Sequence, residues 1–231
     1  MLVPERHQEL AEALPVAAGG PVVDLGRGEG VTLLALRERL GPDVELVGLE
    51  REPPTFPERL AADENVRGVA ADRRERLPFS DASFEAAFCH NTLECLPDKH
   101  AFLREVARIL RPGGHLLLAH TDFDTMVFSA SDVDLTRRLV HANADTQEKW
   151  MDASDGTIGR KLVAIGQQSP LELTDAFAWA VLDTSFAEGG AGQQAVRSIA
   201  AAVRRDHHDE LAARLDEWVS ARARPAGRIP L

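Results

Sequence analysis

Apolar positions along this chain follow two rhythms that take turns. Short β-type runs occur at Val22–Leu25, Val44–Glu50, Val66–Asp72, Phe84–Cys89 and Leu116–Ala119. Helical spacing fills the intervals, at Val31–Leu40 and at Lys99–Leu110, where Phe102, Val106, Ile109 and Leu110 share a stripe. Strands alternating with helices predict an α/β fold: a doubly wound, mostly parallel sheet with helices on both faces. Ahead of the first strand, residues 5–18 predict a short helix with Leu10, Ala13 and Leu14 inward. It would either cover a ligand pocket or pack on the sheet.

The second half is less regular. Ser131-Asp132-Val133-Asp134 predicts a helix start, with a capping hydroxyl and acids in the first turn, followed by Leu135, Leu139 and Ala142 on one stripe. Residues 145–170 carry little periodicity, and long irregular stretches in compact domains are usually functional. Phe177–Leu182 predicts a sixth strand. Two helices follow, marked by Val196, Ile199, Ala200 and Val203, and by Leu211, Leu215, Trp218 and Val219. The expected organisation is one domain over 1–231: an N-terminal helix (1–20), a core (21–121), a substrate-facing insertion (122–170), and a C-terminal strand with helices (171–231).

Chemistry concentrates where the first strand ends. In Val22-Val23-Asp24-Leu25-Gly26-Arg27-Gly28-Glu29-Gly30 an apolar run closes on an acid, and three alternate glycines lead into a helix. Glycines let the chain leave a strand sharply and bring its backbone against a ligand. The helix start then presents unpaired N–H groups. A dinucleotide fingerprint would place its third glycine at position 31, which is Val31.

With its acid-x-G-x-G-x-G form, this segment resembles the first motif of the class I S-adenosylmethionine-dependent methyltransferases. The likeness extends over roughly residues 20–124. It includes the acids Glu50 and Asp72 closing the second and third runs, and the lead-in Leu77–Glu85 before the fourth. Arg111-Pro112-Gly113-Gly114 before the fifth completes it. The resemblance implies a Rossmann-like sheet and S-adenosylmethionine as cofactor. The glycine loop would hold the methionine part, Glu50 the ribose hydroxyls and Asp72 the adenine amine. The cofactor residues implied are Asp24, Gly26, Arg27, Gly28, Gly30, Glu50, Arg51, Asp72, Arg73 and His90, the last through its backbone carbonyl or its ring. Only Gly227–Leu231 remains for the family's final antiparallel strand, so strand seven is expected to be short or missing, and an unfilled edge invites pairing.

Composition narrows the partners. The 231 residues are 44% hydrophobic and 27% charged, the balance of a soluble globular protein. Twenty-six basic against 37 acidic side chains give a net charge of −11, which disfavours a phosphate backbone as substrate. In place of the Asn/Asp-Pro-Pro-aromatic signature of base-modifying relatives, His90-Asn91-Thr92-Leu93 follows strand four. No apolar run approaches a membrane span and the N-terminus lacks a signal-type core, so a cytoplasmic monomer or homodimer is expected. Two cysteines, Cys89 and Cys95, make neither a disulfide framework nor a zinc site, and no metal is expected.

The candidate bases lie past strands four and five: His90, His120 and Asp122. Histidine suits proton removal near neutrality. Asp122 and Asp124 flank Phe123, an arrangement suited to gripping an amine or a polyol. With Trp150 these form the substrate set. The expected activity is methyl transfer to oxygen or nitrogen of a small, natural-product-like acceptor. A protein that binds the same cofactor without methylating, whether a cyclase, a pericyclase or a regulator, would carry the same pocket motifs.

Overall fold

The computed structural model describes residues 4–16, 19–26, 28–52, 56–72, 76–146, 151–184, 186–205 and 209–222. In chain order the elements are α1 (Pro4–Ala13), β1 (Val22–Leu25), α2 (Val31–Leu40), β2 (Leu46–Glu50), α3 (Glu58–Ala61), β3 (Val66–Ala70) and β4 (Phe84–His90). Then come α4 (Lys99–Ile109), β5 (Leu110–Ala119), α5 (Val133–Ala144), α6 (Leu162–Gln167), α7 (Ala191–Arg205) and α8 (Asp209–Arg222). The strands form one five-stranded parallel sheet in the order β3-β2-β1-β4-β5.

Alternation along the strands divides the apolar residues between two faces. Val23, Leu25, Val47, Leu49, Ala87 and Cys89 face α4, whose Phe102, Leu103, Val106 and Ile109 bury against them. Val22, Leu46, Ala86, Phe88 and Leu117 face α1 and α2, meeting Leu10, Ala11, Leu14, Leu33 and Leu36. β1 is buried at all four positions, as a central strand covered on both sides must be. α4 starts on Asp98, whose side chain accepts from the Ala101 N–H at 2.8 Å. Arg108 on α4 pins the lead-in to β4, donating to the Phe79 carbonyl at 2.8 Å and the Leu77 carbonyl at 3.0 Å.

Several boundaries differ from expectation. The N-terminal helix ends at Ala13 and packs on α2 and the sheet. β3 stops at Ala70, leaving Asp72 just beyond the strand end. β5 begins at Leu110, opposite Phe84, and the next pair is Ala86 with His115. Arg111–Gly114 therefore loops out as an insertion in the strand, with Gly113 at φ +80°.

The predicted sixth strand is not formed: Phe177–Leu182 has no strand partner, and the described sheet ends at β5. Alternating apolar residues make a strand only where a surface buries them, and here Leu182 is 85% exposed and Phe177 52%. Residues 227–231, all that remains for a seventh strand expected to be short or missing, lie outside those described.

A third apolar cluster stands apart from the sheet. Leu135, Leu139 and Val140 of α5 pack with Val196, Ile199 and Val203 of α7 and with Leu211, Leu215 and Trp218 of α8. The buried Trp218 indole donates to Thr136 Oγ1 at 2.9 Å. Asp132 caps α5 through Leu135 N–H (2.9 Å) and pairs with Arg214 of α8. The helix that opens the insertion is thus part of one bundle with the C-terminal helices.

Candidate cofactor and acid–base site

The carboxyl ends of β1, β2 and β3 meet at one rim, the place where open α/β sheets bind ligands. Asp24 is 1% exposed within β1. Gly26, Gly28 and Gly30 then adopt φ +102°, +50° and +83°, backbone that L side chains rarely accept. Gly30 stands at the start of α2 and, having no side chain, supplies no cap of its own to the helix's first N–H groups. A Cβ on Gly30 would also come within 3.3 Å of Leu60, whereas one on Gly28 would meet only open space. Across the rim, the Glu50 carboxylate accepts from Gly28 N–H at 3.2 Å and from Arg51 N–H at 2.8 Å. A left-handed glycine cradle beside a carboxylate at the end of β2, with Asp72 past β3, fits an adenosyl group carrying an amino-acid tail. Arg27, Arg73 and Trp150 lie outside the described residues.

The ends of β4 and β5 are stitched together by one residue. Asn91, at φ +47°, accepts from Thr121 N–H at 2.8 Å, and its own N–H donates to the Ala119 carbonyl at 3.1 Å. This fixes His90 and His120 on neighbouring strand ends. His90 packs edge-on against His7 of α1, ring centres 5.3 Å apart, and its carbonyl accepts from Thr92 Oγ1. Burial, helped by His7 and His120, pulls its pKa down to about 3. His7 in turn shares a 2.9 Å hydrogen bond with Thr32 of α2.

His120 sits differently. Its side chain is fully buried, and Nδ1 lies 2.8 Å from the Thr121 carbonyl. A carbonyl only accepts, so Nδ1 carries the proton and Nε2 holds the lone pair. Nε2 has no hydrogen-bond partner among the described residues. Burial holds the ring neutral, lowering its pKa to about 4. Phe123 stands edge-on to it at 6.0 Å.

Beyond β5, Arg160 organises the acids. It donates to both oxygens of Asp122 at 2.7 Å and to Asp124 at 3.0 Å, while its own backbone N–H reaches Asp122. Burial works to raise Asp122, but these bonds outweigh it and the carboxyl is net lowered. The turn bearing Arg160 docks because Gly156 and Gly159 leave no room for side chains. A Cβ there would lie 2.1 Å from the Ala144 carbonyl oxygen and 2.7 Å from Asp122 Cβ, respectively. Ile158 between them is fully buried under the sheet. Asp122 and Asp124 are therefore engaged by a guanidinium, a partner the sequence alone gave no reason to choose.

One group escaped the sequence reading altogether. Glu94, in the short turn Leu93–Cys95 after β4, is buried with 8% of its side chain exposed, and Oε1 lies 3.9 Å from His120 Nε2. The signal was present: an acid inside the apolar run Leu93-Glu94-Cys95-Leu96.

Comparison with known proteins agrees with this arrangement. Residues 23–118 match the family described as "Methyltransferase domain". The chain is 34% identical over 119 residues to 27-O-demethylrifamycin SV methyltransferase of Amycolatopsis mediterranei, covering 47% of this chain and 41% of that protein. It is 32% identical over 173 residues to an uncharacterized methyltransferase of Mycobacterium sp. (strain JLS), covering 74% and 66%. The YcgJ protein of Bacillus subtilis shares the fold, with a TM-score of 0.54 at 21% identity over 86% of this chain and 83% of that one. Of three curated relatives it matches, the chain spans only 41–44% of the length. Glycine cradle, strand-end carboxylates, sheet order and family match together establish that the chain carries a methyltransferase domain of the class I, S-adenosylmethionine-dependent family.

Proposed function

We propose that the protein transfers a methyl group from S-adenosylmethionine to an oxygen or nitrogen of a small-molecule acceptor, with His120 as the general base. The observation that carries this reading is the buried, neutral His120 ring, whose Nε2 lone pair has no protein partner among the described residues and stands at the carboxyl edge of the sheet. Gly26, Gly28, Gly30, Glu50 and Asp72 would hold the cofactor. Bound there, S-adenosylmethionine supplies an electrophilic methyl carbon and leaves as the neutral thioether, keeping the C–S electron pair. This chain's residues do the rest. The insertion excludes water, the rim orients the acceptor, and Nε2 of His120 takes the proton that the acceptor atom gives up. A base in this position accelerates transfer from a hydroxyl about 10²–10⁴-fold.

His90, packed against His7, serves the site through its backbone and as a wall. Phe123 walls the acceptor side beside His120. Asp122 and Asp124 act by holding Arg160, so that a cationic acceptor would have to displace a guanidinium to reach them. No helix among the described residues is long and apolar enough to cross a membrane. Two relatives are named for small molecules, 27-O-demethylrifamycin SV, which supports an oxygen acceptor, and demethylmenaquinone, whose name specifies no acceptor atom.

The test is calorimetry with S-adenosylmethionine and S-adenosylhomocysteine, then measurement of S-adenosylhomocysteine formed with those two compounds and a panel of phenols and amines. Binding with acceptor-dependent product is expected. Binding with no product from any acceptor would return the protein to the non-methylating class, and no binding would remove the cofactor reading itself.

A further inference from the structure

The proton that His120 takes must go somewhere, and among the described residues the buried site offers Glu94 as its destination. The Nδ1 side of the ring is closed by the Thr121 carbonyl. The Nε2 side faces the Glu94 carboxyl at 3.9 Å, too far for a hydrogen bond in this arrangement but within reach of a side-chain rotation. Both side chains are at least nine-tenths buried, so each is cut off from bulk water as an alternative partner. We infer that Glu94 and His120 form a single proton-holding pair, in which Glu94 is a positioning residue that receives through His120 the proton released by the methyl acceptor.

The inference rests on the methyl-transfer reading above. The acceptor O–H or N–H bond breaks with its electron pair left on the acceptor atom. The proton joins Nε2 of His120, and the resulting imidazolium is neutralised by the Glu94 carboxylate or hands the proton to it. Charge is conserved at each stage: a neutral ring and a carboxylate become either an ion pair or two neutral groups.

The surroundings favour this sharing. Burial first, then Asp155, raise Glu94 to about 7, while Lys99 of α4 works the other way. Around His120, burial dominates, Asp155 and Asp122 favour the charged ring, and Lys99 opposes it. His90 of β4, with His7 of α1 beyond it, is held neutral and adds no fixed charge of its own. Asp155 is bound to Lys161 at 2.7 Å, which fixes its carboxylate beside the pair.

The experiment is a histidine ¹⁵N titration of the wild-type protein saturated with S-adenosylhomocysteine, repeated for Glu94→Gln and Glu94→Asp. In the wild type, His120 is expected with a protonated Nδ1 and a bare Nε2 whose shift steps near pH 7 as Glu94 ionises. The step should vanish in Glu94→Gln and return, at a displaced midpoint, in Glu94→Asp, with S-adenosylhomocysteine affinity within twofold in both. A wild-type ring protonated on Nε2, or showing no step between pH 5 and 9, overturns the pair without need of any variant. Survival of the step in Glu94→Gln overturns it as well. Failure of the wild type to bind S-adenosylhomocysteine marks instead a failure of the cofactor reading, and the titration of the ligand-free protein then decides the pair separately.

Discussion

At the scale of single residues, two carboxylates in this structure do different work because their surroundings differ. Glu50 stands at the rim with backbone N–H groups pointed at it, and is suited to accept from two hydroxyls at once. Replacing it by Ala should weaken S-adenosylhomocysteine binding about 10–100-fold, the worth of charge-assisted hydrogen bonds of roughly 1.5–3 kcal/mol, with the melting temperature little changed. Unaltered affinity in the calorimeter would remove Glu50 from the site. Glu94 instead is buried, and its ordinary value of 4.5 is raised to about 7. The folded protein keeps a proton that the unfolded chain releases, so this group's contribution is present below about pH 4.5 and lost as pH rises to 7. His90 and His120, pulled down to about 3 and 4, work in the other direction. Their contribution is complete above pH 6.5 and is lost as pH falls. Comparing Glu94→Gln with wild type cancels the histidines to first order. In urea, the variant should gain on the wild type by about 2–3 kcal/mol between pH 5 and pH 8. A pH-independent difference would show that Glu94 titrates normally.

Among the elements, the strands were easier to read than what surrounds them. β1, β2 and β4 announced themselves because a central parallel strand must be apolar on both faces, and few other structures ask for that. The glycine turn was equally legible, since alternate glycines after a strand have few uses. Phe177–Leu182 misled because alternation states a preference for a buried surface and says nothing about whether one exists. Arg160 and Glu94 were hidden for a different reason. Their partners lie 38 and 26 residues away in sequence, and no local pattern encodes a contact made by folding. Gly156 shows how such a contact is built. Its α-hydrogen is the only substituent that fits against the end of α5. Gly156→Ala should destabilise by about 1–3 kcal/mol, in the range of other overpacked sites. A chain of this size should then melt lower by about 2–4 °C for each kcal/mol. An unchanged melting curve would mean that the 155–161 segment is not held as described.

For the whole molecule, the sheet with its two faces and the α5, α7, α8 bundle bury separate sets of apolar residues. The bundle joins pieces from either side of the exposed 173–182 stretch. A protease cutting at Phe177 or Trp179, half exposed and side by side, would sever the backbone but not the cluster. The two fragments should elute together under native conditions and part only in denaturant, so that a nicked sample would pass as intact on a sizing column while running as two bands on a denaturing gel. The same arrangement makes the molecule a candidate for splitting: two separately expressed segments, divided at that stretch, should find each other through the three helices and rebuild a working whole.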